Sequence, residues 1–220
     1  MKRIFATAVV LALIVGALGA PALAGKKKKE PVPPAPQPIP VTLFFHGTEA
    51  VGEADIVNNF PTGATQPMDT TEPSGSSKSF PILDGIATPN ESCSGSPLFP
   101  SWTAQLAGQV KGDVKVTFNT IASVGSVDVE LFVDAGPLSC NDTYIEPVGE
   151  ATVDLPPGTG TVEAVISGLD IPVGGLLTVM INPRNLDAPA AGRILYDSPT
   201  DAARVELMCT PNAGATTCTP

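Results

Sequence analysis

Apolar and polar residues alternate along most of this chain, the period of a strand with one buried face. In KVTFNTIA, Val116, Phe118 and Thr120 fall on one side and Thr117, Asn119 and Ile121 on the other. In SVDVELFVD, Val127, Val129, Leu131 and Val133 alternate with Asp128, Glu130 and Phe132. Gly125 and Ser126 stand between the two, where a hairpin has to turn. The same rhythm continues through VTLFFH, WTAQL, EATVDL, TVEAVISGL, GLLTVMIN, GRILYDS and ARVELMC. It breaks at PPGTG (156–160), IPVGG (171–175) and SPTDAA (198–203), each of which supplies Pro, Gly or Asp for a turn. No window of about 11 residues keeps a helical period, and the stretch from Gly47 to Lys78, rich in Gly, Pro, Thr and Ser, reads as mostly loop. Roughly eight to ten short strands with regular turns predict an all-β fold, a single antiparallel β-sandwich of jelly-roll type over residues 41–210.

The ends of the chain add a destination. MKRIFATAVVLALIVGALGAPALAG has the basic start, apolar run and small-x-small close of a secretory signal, so residues 1–24 are expected to be removed before Gly25. Lys26 to Lys29 follow at once, and positive charge on the trailing side opposes its translocation, which leaves an uncleaved anchor as the alternative. Once the signal is cleaved no membrane span is expected. Residues 25–40 form a Lys/Pro-rich linker, extended by its prolines, whose lysines are suited to an anionic surface. Residues 211–220 form a Thr/Pro-rich tail.

Charge narrows the partners. From Val41 onward six basic residues stand against 21 acidic ones, a formal charge of −15. Nucleic acid is excluded as a partner, since binding it requires a basic face that neutralises phosphates. Cys93, Cys140, Cys209 and Cys218 all follow the signal, and an even count in an oxidising compartment reads as two disulfides. Three pairings are open, with Cys93–Cys140 and Cys209–Cys218 favoured because the second pins the tail. No close Cys pair supports a zinc site.

Chemistry is harder to find. VTLFFHG places His46-Gly47 at the end of a strand, as α/β-hydrolases do where their oxyanion loop begins. That family also needs a G-x-S-x-G elbow and a second histidine, and His46 is the sole histidine of the chain. Multi-histidine metal sites fail by the same count, GTGTV leads into a strand rather than a phosphate-cradling helix, and MDTTE lacks the glycine of an aspartic-protease motif. His46 is therefore expected to be a strand-end residue without a catalytic partner, so that His46→Ala leaves any activity intact. The chain is expected not to be an enzyme, with no catalytic or cofactor-binding residues. The alternative is a secreted, glycosidase-like hydrolase using paired carboxylates, for which the many acidic residues offer candidates.

Binding readings rest on side chains at loops. Trp102 falls within a strand and is expected in the core, whereas Tyr144 and Tyr196 lie near loops and are the better candidates for exposure to a sugar. Loop acids offer a hard cation oxygen ligands, and Asp134, Asp142 and Asp197 are the candidates for a structural calcium. The sequons at Asn90 and Asn141 matter only where the host glycosylates them.

The phrases SPLFPSW, VKVTFNT, VDLPPGTGTVEAVISGLD and GRILYDSPTDAARVELMC together resemble secreted bacterial β-sandwich modules of the jelly-roll and prepeptidase C-terminal kind, which are appended to extracellular hydrolases. That resemblance implies a non-catalytic accessory domain. The resulting expectation is a secreted or envelope-associated module for binding, adhesion or structure, its partner a cell-envelope polysaccharide or an extracellular protein.

Overall fold

A computed structural model describes residues 35–47, 65–82, 100–133, 146–171, 175–182 and 190–219. The signal, most of the linker, Cys93, Cys140, Asp134, Asp142, Tyr144 and both sequons lie outside the described residues. Those described form eleven strands and no helix.

The fold is all-β, as the alternation predicts. Its spine is β5 (Gly108–Val124), 17 residues long. Along one edge of β5 runs β8 (Gly158–Ile171). Its other edge is shared by β10 (Ala191–Tyr196) and β11 (Arg204–Pro211), which pair with successive halves of it. Beyond β10 lies β3 (Lys78–Ile82), and beyond β11 lies β1 (Ile39–Phe45). Only two residue pairs join β1 to β2 (Thr65–Asp69), and the path then runs through β4 (Ser101–Gln105), β9 (Leu176–Asn182) and β6 (Ser126–Val133) to β7 (Gly149–Asp154). Buried residues from both sides of the narrow β1–β2 junction belong to one hydrophobic core.

Two expectations change. The fold is not purely antiparallel, because β2 and β4 pair in parallel, with Thr65, Gln66 and Pro67 beside Ser101, Trp102 and Thr103. The stretch before Lys78, read as mostly loop, also contains a strand that the alternation does not show, β2. β3 also escaped the pattern. Its KSFPI carries Pro81, which an edge strand tolerates because the missing N–H faces no partner.

The core follows from the alternation. Leu43 and Phe45 of β1, Val114, Val116 and Phe118 of β5, and Val127, Val129 and Leu131 of β6 are all essentially inaccessible. At their centre Trp102 is fully buried, stacked on Phe45 with ring centroids 4.4 Å apart and met edge-on by Tyr196 at 5.3 Å and Phe80 at 6.2 Å. Such pairs add about 0.5–1.5 kcal/mol each beyond the area they bury. Trp102 is thus the core residue expected. Tyr196 is a correction, since the residue taken as a candidate for exposure is completely buried.

The Cys209–Cys218 disulfide forms as favoured from the sequence. It ties the tail across the start of β5, where the Ala107 N–H donates to the Cys218 carbonyl at 2.7 Å. Gly108 is required there by space, because a Cβ would come within 2.5 Å of Cys209 Sγ and 2.6 Å of Cys218 Sγ.

Candidate functional site

The aromatic centre has a polar rim built from the residues that follow it in sequence. Successive residues of a strand project to opposite sides, so after the inward Phe45 comes His46, and after the inward Tyr196 comes Asp197. The two are 151 residues apart in sequence, yet His46 Nδ1 lies 2.8 Å from Asp197 Oδ1. Asp197 reaches back because its backbone is left-handed, with φ 65°, a conformation that Asp accepts more readily than most residues.

Two further elements complete the corner. Lys78, the first residue of β3, stands opposite Tyr196 in the β3–β10 ladder, and its ammonium bonds both Asp197 Oδ2 and the Gly47 carbonyl. At the end of β2, Asp69 pairs with Phe44 of β1, while the His46 N–H donates to the Pro67 carbonyl at 2.9 Å and extends that ladder. Past Asp69 the chain curls over the imidazole in a turn closed by the Thr71 N–H on Asp69 Oδ1 at 2.7 Å. This curl sets the Thr71 carbonyl 3.0 Å and Asp69 Oδ1 3.3 Å from His46 Nε2. Gly47 threads between these groups. A Cβ there would lie 2.8 Å from both the ring and the hydroxyl of Tyr196.

The corner is graded from interior to solvent. The Asp197 side chain is 12% exposed, that of His46 18% and that of Asp69 59%. Burial pushes the Asp197 carboxyl up, but bonds from Lys78 and His46, the Lys78 charge and the Gly47 N–H outweigh it and hold the carboxyl below its usual range. At Asp69 burial also pushes upward, and it is outweighed by bonds from Thr71 and by the bond and charge of His46, so that this carboxyl too lies low. Burial, with the Asp197 charge behind it, pushes the Tyr196 phenol up to about 12.

Chemically this is an imidazole between two ionised carboxylates. Both ring nitrogens face oxygen atoms, Nδ1 that of Asp197 and Nε2 that of the Thr71 carbonyl with Asp69 beside it. His46 is therefore not the partnerless strand-end residue that the sequence suggested. Asp197 is one of the three candidates for a structural calcium, and its oxygens are engaged by a histidine, a lysine and a backbone N–H. Among the described residues no group of three or more His, Cys, Asp or Glu is placed to hold a metal ion. Lys78 and Asp69 were not recognised as members of the site. The usable signal was that MDTTE and YDS each set an Asp at the end of a strand.

No protein-family model matches this chain, and no curated protein matches it. Among solved structures it is similar to a CocE/NonD family hydrolase from Staphylococcus aureus, at 9% identity and a TM-score of 0.47, covering 80% of this chain and 37% of that one. A second structure of a CocE/NonD family hydrolase from the same organism gives 8% identity, a TM-score of 0.43 and the same coverage. The chain thus spans little more than a third of those proteins, and a likeness of this size assigns it no reaction. The expectation that the chain is not an enzyme is corrected in its ground: the absence of a partner for His46, on which the exclusion leaned, does not hold, since Asp197, the Thr71 carbonyl and Asp69 surround its ring.

Proposed function

We propose that this chain acts in hydrolysis outside the cytoplasm, with His46 as the group that moves the proton and Asp197 as the carboxylate that orients it. The observation that carries the reading is the placement of His46 Nδ1 on Asp197 while Nε2, 3.0 Å from the Thr71 carbonyl, lies toward the rim beside Asp69. A hydrolase built on two carboxylates alone needs one of them kept protonated to serve as the acid. Asp69 and Asp197 are both held low, which disfavours that division of labour. His46 fits the role of acid better, giving its Nε2 proton to a leaving group and recovering one from the attacking water, with exposed Asp69 as the neighbouring acceptor. An orienting carboxylate on one ring nitrogen and a working proton on the other is the usual arrangement for histidine in acid–base catalysis.

The setting supports the same reading. The Cys209–Cys218 bridge suits an oxidising compartment, the first 24 residues read as a secretory signal, and the resemblance to β-sandwich modules of extracellular hydrolases belongs to that environment. Envelope polysaccharide and extracellular protein, the partners expected from sequence, become the substrate classes to test.

The test is to incubate the purified chain with chromogenic esters, glycosides and labelled peptides, and to titrate it in parallel with diethyl pyrocarbonate. Turnover of one class that is lost as a single imidazole is modified, and recovered with hydroxylamine, is expected. Turnover of none of them, or turnover indifferent to the modification, would sink the proposal.

A further inference from the structure

We infer that Lys78 is the positioning residue of this corner, fixing Asp197 and through it the orientation of the His46 ring. The inference rests on the reading of His46 as the proton-transferring group. The two oxygens of Asp197 have separate duties: Oδ1 accepts from His46, while Oδ2 is taken by the Lys78 ammonium, with the Gly47 N–H 3.4 Å away. A carboxylate turns freely about its last torsion unless its surroundings stop it, because that torsion is broad. Lys78 stops it from two sides, since the same ammonium also holds the Gly47 carbonyl next to His46. It thereby joins the chain leaving β1 to the chain leaving β10, the two segments that carry the imidazole and its carboxylate.

Register explains why this lysine does so. Pairing with Tyr196 sets Lys78 one residue from Asp197, whose left-handed backbone swings the carboxylate under the ammonium. A left-handed non-glycine residue persists where its neighbours determine it, and the carboxylate of Asp197 is engaged by Lys78, His46 and the Gly47 N–H. An ion pair in full solvent fixes little. Here Asp197 is mostly covered and Lys78 is 28% exposed, so the pair retains more of its attraction. Among the described residues, the ionisable groups around the imidazole are then Asp197 after β10, Lys78 on β3, Asp69 on β2 and the Tyr196 phenol on β10. Lys78 is the cation among them that does not itself transfer the proton.

The test exploits His46 being the sole histidine, so that every imidazole resonance reports on this corner. In the 15N-labelled full chain an Nδ1–H proton protected from solvent exchange is expected for the wild type and absent for Asp197→Ala. Lys78→Met should lose or broaden that signal, and Lys78→Arg, which restores the charge, should bring it back. On any substrate turned over, Lys78→Met should lower kcat by about tenfold or more while KM changes little, the mark of lost orientation rather than lost binding. Lys78→Gln serves as the second variant if Lys78→Met does not fold. The inference is overturned if the wild type lacks the protected proton, if the folded Lys78→Met or Lys78→Gln protein keeps it unchanged, or if Lys78→Arg folds without restoring it. Should the resonance respond as expected while no substrate is hydrolysed, the positioning role stands and the hydrolytic reading falls.

Discussion

Replacing Asp197 by Ala, Gly and Asn separates what its side chain does from what its backbone requires. Asp197 accepts from His46 Nδ1 at 2.8 Å and from the Lys78 ammonium, with its side chain 12% exposed. A hydrogen bond to a charged group contributes about 1.5–3 kcal/mol, and partial exposure of Lys78 scales the pair down to roughly 2–4 kcal/mol in all. Alanine also meets the left-handed φ of 65°, which costs an ordinary L-residue about 1–2 kcal/mol. Asp197→Ala should therefore destabilise by roughly 3–6 kcal/mol. Asp197→Gly escapes the backbone penalty and should be milder by about 1 kcal/mol. Asn tolerates the left-handed region and still offers His46 a carbonyl, so Asp197→Asn should cost about 1–2 kcal/mol, mainly for the lost attraction to Lys78. Urea denaturation at neutral pH, followed by far-ultraviolet circular dichroism and fitted with a common slope, reads these differences directly. If Ala and Asn both fall within about 0.5 kcal/mol of wild type, as at an ordinary surface site, the corner is solvated and the reasoning fails. If Gly is no milder than Ala, the backbone part of it is wrong.

Acid should weaken the fold through the same groups. The Asp69 and Asp197 carboxyls lie below their ordinary 3.8 in the folded chain, so the stability they confer is complete above that value and is lost as pH falls through the lower folded value. The urea midpoint should be level above about pH 5 and decline below about pH 4, and Asp197→Asn should flatten the decline; a midpoint independent of pH in that range would contradict the pairing. Gly108→Ala forces a Cβ against both sulfurs of the Cys209–Cys218 bridge, so unpaired thiols or a loss of about 1–3 kcal/mol are expected, and a fully bridged protein with wild-type melting would refute the crowding. Trp102, the sole tryptophan and fully buried, should emit at short wavelength and resist iodide quenching, whereas a solvent-exposed spectrum would contradict the aromatic centre.

The strands that could be read from sequence are those whose side chains see two different environments. β5 and β6 alternate because one face meets the core and the other does not, and Gly125 marks the turn between them with φ 86°. β2 could not be read this way: TQPMD has no alternation, and pairing across a fold fixes it instead, with β4 along one side and two residues of β1 on the other. Tyr196 was misplaced for a related reason, since its loop-side position in sequence says nothing of the indole that covers it. The site was legible only in pieces. His46 and Asp197 were both noticed, one as an isolated histidine and the other as a loop acid. What joins them is a register between β3 and β10 and a left-handed residue after it, and neither leaves a local motif. Lys78 was visible only as one of few basic residues.

The most direct measurement is the hydrolysis rate of His46→Gln relative to wild type on the best substrate of the panel, with melting temperatures measured on the same samples. The account predicts a loss of roughly 10²-fold or more in kcat/KM, the usual contribution of a positioned acid–base group, from a variant that remains folded. A folded His46→Gln protein that hydrolyses as fast as wild type would contradict it.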